Sequence, residues 1–435
     1  MNTFRKIWCR TFQLGLRLAL PVLPYRDPRI LDSIETLPAL LRENGISRVL
    51  LVTDRGVRSR GITLPLERLL QRQGIGCSVF DGTVPNPTTE NVENARQLYL
   101  AECCQAIIGL GGGSSIDCAK AVGARIAKPR QSLARMKGIL RVHARLPLLI
   151  AIPTTAGTGS ETTLAAVITD SATRHKYPIN DFPLIPRVAV LDPELTRSLP
   201  PFITATTGMD ALTHAVEAYI GRSTTAGTRA SALEAVRLIF RYLDAAVDDG
   251  NNLEARRGML RAAYLAGSAF SRSYVGYVHA VAHSLGGAYN TPHGLANAIL
   301  LPGVLWRYGA AAENKLRDLA LAAGVAAPEA PAPAAAEAFI SAVEAMQRRY
   351  KLPRFIEGLR EEDIPRLAEY ADHEANPLYP VPVLWDAEEL KAIYQSVLEV
   401  KAYGENADRG IGGASARLFS NRSDAAAGCK GGGAA

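Results

Sequence analysis

The chain has 435 residues, 48% of them hydrophobic and 21% charged, with a formal net charge of +7; this is length for two or three domains with buried cores and the composition of an ordinary globular protein. The basic residues are scattered (Arg55, Arg58, Arg60, Arg68, Arg72, Arg256, Arg257) with no long Lys/Arg run and no aromatic interleaving, which argues against nucleic-acid binding and leaves a mild field favourable to phosphate-bearing ligands. Six cysteines (9, 77, 103, 104, 118, 429) form no CxxC pair, so neither a disulfide framework nor a thiolate zinc site is expected, and a reducing compartment, the cytoplasm, is. No apolar stretch is long enough for a transmembrane helix.

Residues 1–28, "MNTFRKIWCRTFQLGLRLALPVLPYRDP", carry Arg5, Lys6, Arg10 and Arg17 and no acid before Asp27. A transit peptide or an interfacial helix has this make-up. Arg17 breaks the apolar core a signal peptide needs, and no small-residue cleavage site follows. The reading adopted is an amphipathic helix docked on the body.

Residues 29–200 read as an α/β domain. Apolar runs of strand length, "SRVLLVTD" (47–54), "GCSVFDG" (76–82), "QAIIGLGGG" (105–113), "PLLIAIPTT" (147–155) and "AVITD" (166–170), alternate with helical patterns at 64–73 and 89–103. Near-continuous Val/Ile/Leu strands with helices between them predict a parallel sheet covered on both faces, with its ligand crevice at the carboxyl ends of the strands.

"IIGLGGGSSIDCAK" (107–120) is a buried strand running into glycines and then a helix. Backbone N–H groups there can approach a pyrophosphate, and the helix start adds its positive dipole end. The spacing matches neither the G-x-G-x-x-G fingerprint nor the phosphate loop of nucleotide triphosphatases, so a plain turn is the alternative. Asp54 ends the first long strand, where an acid accepts from ribose hydroxyls and repels a 2′-phosphate; NAD is therefore expected ahead of NADP, although Arg55 next door weakens the inference. "AIPTTAGTGSE" (151–161) is a second strand ending in hydroxyls and glycines.

Residues 201–403 read as a run of helices with almost no strand signal. In "TGMDALTHAVEAYI" Asp210 and His214 stand four apart, and in "GYVHAVAHSLGGAYNTPHG" His279 and His283 do so again, with His293 just past a proline. Residues at i and i+4 share a helix face. Four of the chain's seven histidines thus fall within eighty positions, each paired at helical spacing or beside a turn. Nitrogen and oxygen donors without cysteine point to Fe(II), Zn(II) or another divalent metal. Asp210, His214, His279 and His293 are the expected ligands, and His283 is left for proton transfer. His143, His175 and His373 stand alone and read as surface residues. Residues 404–435, rich in Gly, Ala and Ser without apolar period, read as a disordered tail.

With "VPNPT", "GGGSSIDCAK", "IPTTAGTGSE", "GMDALTHAVEAYI" and "GYVHAVAHSLGGAYNTPHGLANAILLP" in this order, the chain resembles the iron-dependent, group III alcohol dehydrogenases over residues 45–400. The resemblance implies a dinucleotide-binding domain, an all-helical metal domain and an active site in the cleft between them. It assigns the metal to Asp210, His214, His279 and His293. It puts His283 beside the nicotinamide and gives cofactor contacts to Asp54, Asn86, Gly112, Gly113, Ser114, Thr154, Thr155 and Lys176. It implies hydride transfer between NAD(H) and a primary alcohol or small diol and its aldehyde, in a homodimer or larger homo-oligomer. A glycerol dehydrogenase-like or dehydroquinate synthase-like enzyme, or a catalytically silent NAD-binding protein, is the alternative on this scaffold. Two features depart from the family pattern. The glycines many members carry before the first long helix are missing from "YRDPRILDSIETLPALLREN", and the tail has no family counterpart.

Overall fold

The structure is a computed structural model that describes residues 1–399 apart from Arg174. The segment expected to be a disordered tail, 404–435, lies outside the described residues, as do 400–403. In the first half, strands β1 (Arg29–Leu31), β2 (Arg48–Asp54), β3 (Gly76–Thr83), β4 (Ala106–Gly111), β5 (Gly138–Ile139), β6 (Leu148–Pro153), β7 (Ala165–Thr169), β8 (Lys176–Asn180) and β9 (Val188–Val190) alternate with helices. These are α1 (Thr3–Ala19), α2 (Leu37–Glu43), α3 (Arg55–Ser59), α4 (Leu64–Arg72), α5 (Thr89–Ala101), α6 (Gly113–Ala127) and α7 (Leu133–Met136).

Six strands form one all-parallel sheet in the order β1-β9-β6-β4-β2-β3. Successive β2 side chains go to opposite faces, and both faces are dry. Leu50 and Val52 pack with α5 and α6 residues such as Val92, Ala95 and Val122. Val49 and Leu51 pack with Leu40, Leu41, Leu66 and Leu70 of α2 and α4. From β2 the chain goes outward to β3, then crosses back so that β4 lies on the other side of β2. That reversal opens a crevice between the carboxyl ends of β2 and β4, the place where parallel sheets bind ligands.

Two expectations need correction. "AVITD" does not join the parallel sheet. As β7 it pairs antiparallel with β8, and β8 pairs with β5 in a separate three-stranded sheet. The burial of β7 alternates, with Ala166 and Ile168 inward, which is the pattern of a strand covered on one face. The other correction adds β1 and β9, each of three residues, at the far edge of the large sheet.

Beyond β9 only helices follow among the described residues: α8 (Pro201–Ile220), α9 (Ala226–Asp248), α10 (Leu253–Ser273), α11 (Tyr277–Tyr289), α12 (His293–Tyr308), α13 (Glu313–Ala323), α14 (Ala332–Arg349), α15 (Ile364–Ala375) and α16 (Ala387–Ser396). Pro201 sits in the first turn of α8, where its fixed φ suits a helix start. All residues of α8 from Gly208 to Ile220 are buried, so it is the central post of the helical core. Gly208 allows the close approach of α9: a Cβ there would fall 2.4 Å from Leu243 Cδ1.

Candidate active site

Because α8 is enclosed by apolar neighbours, its polar residues need partners. Asp210 and His214 project from it on one face, His279 comes from the first turn of α11, and His293 opens α12 after Pro292. One donor atom from each of these four residues lies within 4.8 Å of the other three. His293 Nε2 stands 3.6 Å from Asp210 Oδ1, and the His214 and His279 rings stack with centroids 4.5 Å apart.

The donor set suits a divalent metal. Burial lowers the pKa of His214 and takes His279 well below the usual imidazole value; it brings His293 down to about 4. All three rings are therefore neutral near pH 7 and offer a lone pair. His214 Nδ1 is buried without a hydrogen-bond partner. Asn297, fully buried one turn after His293, aims its amide nitrogen at the same point, 2.7 Å from Asp210 Oδ1, 3.2 Å from His279 Nε2 and 3.1 Å from His293 Nε2.

Sequence reasoning missed Glu217. Its carboxylate is buried on α8 and accepts from Gly276 N (2.8 Å), Val278 N (2.8 Å) and His279 Nδ1 (2.6 Å). Two of these donors belong to the unsatisfied first turn of α11, so Glu217 caps that helix and fixes the His279 tautomer with Nε2 toward the cluster. Burial raises the carboxyl to about 7, against the backbone N–H groups of Gly276, Val278 and His279. Helical spacing held a usable signal, since Glu217 lies three residues beyond His214 on a helix that is apolar all round.

His283 lies one turn beyond His279 and stacks on His293, with centroids 5.1 Å apart and planes 17° apart. Its Nδ1 meets Glu374 Oε1 at 2.6 Å, and Tyr379 Oη donates to the same oxygen at 2.7 Å. Burial works to raise the Glu374 carboxyl, but the His283 charge and both hydrogen bonds outweigh it and leave the group below the usual range. Glu374 comes from α15, about ninety residues away, and nothing local in the sequence marks it.

The expected cofactor residues gather at the switch-point crevice. Asp54 ends β2, with Oδ1 accepting from Val57 N (2.9 Å) as the cap of α3 and Oδ2 accepting from Ser115 Oγ (3.2 Å). Gly112 and Gly113 open α6, whose first turn has no side-chain cap. A Cβ on Gly112 would lie 3.9 Å from Thr155, and Thr154 N donates to Gly111 O at 3.0 Å. Asn86, in left-handed backbone, donates from N to Ser114 Oγ (3.3 Å) and accepts at Oδ1 from Lys176 Nζ (2.7 Å). The glycine-free stretch after β1 is turned by other means: Ser33 accepts from Glu35 N, and Asp192 Oδ2 accepts from Ile34 N.

The loop after β6 ties this crevice to the metal cluster. A Cβ on Gly157 would fall 2.7 Å from Thr207 Cβ on α8. Gly159, at φ +60°, comes so close to α10 that a Cβ would fall 2.6 Å from Gly267 Cα. The loop that follows β6 therefore packs directly on α8, which carries Asp210 and His214, and on α10.

The chain matches two family models, "Iron-containing alcohol dehydrogenase" over residues 31–193 and "Fe-containing alcohol dehydrogenase family, C-terminal" over 204–398. It is 40% identical over 356 residues to a 1,3-propanediol dehydrogenase of Klebsiella pneumoniae, covering 81% of this chain and 91% of that one. To an NAD-dependent methanol dehydrogenase of Bacillus methanolicus it is 37% identical over 341 residues, covering 78% and 89%. Among solved structures, a 1,3-propanediol oxidoreductase superposes with a TM-score of 0.82 at 37% identity, covering 86% of this chain and 99% of that one.

Proposed function

From the premise that the chain belongs to the iron-containing alcohol dehydrogenase family and interconverts an alcohol and its aldehyde with iron and NAD(H), we propose how its own residues divide the work. Asp210, His214, His279 and His293 hold the divalent metal. The observation that carries this reading is the convergence of their four donor atoms within 4.8 Å of one another. When bound, the metal supplies Lewis-acid polarisation of the substrate oxygen and NAD supplies the hydride acceptor.

Glu217 holds His279 with Nε2 inward. The charge-free first turn of α6 and the hydroxyls of Ser114, Thr154 and Thr155 orient the cofactor phosphates, the helix end contributing its positive dipole. Asp54 would accept from the adenosine ribose hydroxyls, and Asn86 and Lys176, joined by a hydrogen bond, would contact the cofactor. His283 moves the proton: Glu374 takes Nδ1–H, which leaves Nε2 free to accept. Its side chain is 40% exposed, so the proton has a path to solvent.

The substrate we propose is a small primary alcohol or diol, as the two relatives' names suggest. For the assembly we propose a homo-oligomer in the cytoplasm; the five cysteines among the described residues are all free. No helix among the described residues is long and apolar enough to cross a membrane. The test is absorbance at 340 nm with NAD+ and a panel of short alcohols and diols, before and after chelation and after return of Fe(II) or Zn(II). Chelator-sensitive NADH formation is expected. Turnover indifferent to chelation would overturn the metal assignment.

A further inference from the structure

Helix α1 precedes both family-matched segments and takes no part in the cleft. It packs on the helical half yet leaves a second apolar stripe uncovered, where an ordinary amphipathic helix turns a polar face to solvent. The docked face is mixed: Cys9 joins the helical core, Leu20 is buried and Phe12 and Leu16 are half-buried, beside a set of polar anchors. Arg5 makes a two-pronged pair with Asp372 (2.8 and 2.7 Å), and Arg10 donates to Val381 O and Pro382 O. Gln13, 3% exposed, donates to Pro377 O and Tyr379 O, and the Met1 ammonium meets Asp386 and Glu389. The outward face carries Phe4, Ile7, Trp8, Leu14 and Leu18 at helical spacing, followed by Val22; all six are more than half exposed, Phe4 at 84%. They make up six of the sixteen large apolar side chains exposed among the described residues, which marks a patch rather than scatter.

We propose that this face is a docking surface for an anionic lipid bilayer, with α1 lying flat in the interface. Three observations favour lipid over other occupants. Phe4 and Trp8 are aromatic residues of the kind that settle at headgroup depth, and no acid lies on the helix. Cations collect along one flank: Lys6 and Arg17 are exposed, and residues 221–223 run alongside, with Ser223 Oγ donating to Gln13 O. Exposed Arg222 and Arg229 join Arg17 around Lys315. A second copy of the chain docking this face on itself would bring two flanks of the same positive charge into one interface. A negatively charged surface meets them with the opposite sign. Buried Cys9 and Leu20 together with the hydrogen bonds to residues 377–382 hold the helix in place, so the stripe from Phe4 to Leu18 is not needed for docking on the body.

The test uses the full chain in co-sedimentation with vesicles of phosphatidylcholine alone and with vesicles that also contain phosphatidylglycerol. Binding to the anionic vesicles that weakens as NaCl rises is expected. The double variant Trp8→Glu, Leu18→Glu is expected to lose more than about tenfold in partitioning, and Lys6→Ala or Arg17→Ala about fivefold each. Dehydrogenase activity should stay unchanged in all three, since none of these residues touches the cleft. Absence of vesicle binding by the native chain would overturn the proposal, as would equal binding by the double variant. A native chain that ignores vesicles but falls to a smaller assembly on Trp8→Glu, Leu18→Glu would show that a second copy covers the face, which also overturns it.

Discussion

Replacing Glu217 by glutamine changes almost no volume and removes one acceptor. Oε1 serves Val278 N, and Oε2 serves both Gly276 N and His279 Nδ1. The one oxygen of glutamine can keep the Gly276 and His279 bonds, but its NH2 group then faces the Val278 N–H, donor against donor. The alternative orientation keeps Val278 and abandons the other two. The milder outcome leaves one buried N–H unpaired, a cost of about 1–3 kcal/mol in stability. The imidazole also loses a carboxylate acceptor that orients it and raises its basicity, and losses of this kind weaken metal binding by about 10- to 100-fold. Competition against a chromophoric chelator reads the affinity, and thermal unfolding of metal-free protein reads the stability. Both are expected to fall together. Glu217→Gln with native metal affinity and native melting would refute the orienting role.

Asp210→Asn is expected to lose metal and turnover together, with Fe(II) restoring neither at concentrations that saturate the native chain; metal analysis beside the 340 nm assay checks it. His283→Ala should keep its metal and lose turnover by about 10²- to 10⁴-fold, and Glu374→Gln should lose turnover in the same direction with metal retained. An empty site in His283→Ala would make that residue a ligand instead. Asp54→Gly costs the α3 cap only a few tenths of a kcal/mol, so a rise in the NADP-to-NAD ratio of kcat/KM reads the carboxylate's charge; an unchanged ratio removes its discriminating role. Gly267→Ala places a Cβ 2.4 Å from Thr162 Oγ1. It should destabilise the protein by about 1–3 kcal/mol and loosen NAD binding through the 154–161 loop, as denaturant unfolding and cofactor titration would show.

The parts of this fold readable in sequence are those whose physics is local. β2, β4 and β6 are buried on both faces and announce themselves as continuous apolar runs. Asp210 with His214, and His279 with His283, follow from the helical period alone. Glu374 could not be found that way, since its link to His283 spans ninety-one positions and is made by the packing of α15 on α11. The three-residue strands β1 and β9 carry too few residues for any period. "AVITD" reads like its neighbours in composition, and its separate sheet is decided by an antiparallel partner further along the chain. The face that α1 turns outward was hidden for a related reason: an amphipathic pattern says that two faces differ, not which one the body takes.

The most direct test of the whole account is anomalous diffraction at the iron edge on crystals of Fe(II)-loaded protein. The account predicts one strong peak within about 2.0–2.3 Å of a donor atom from each of Asp210, His214, His279 and His293. A peak elsewhere, or one that leaves any of the four beyond bonding distance, would contradict it.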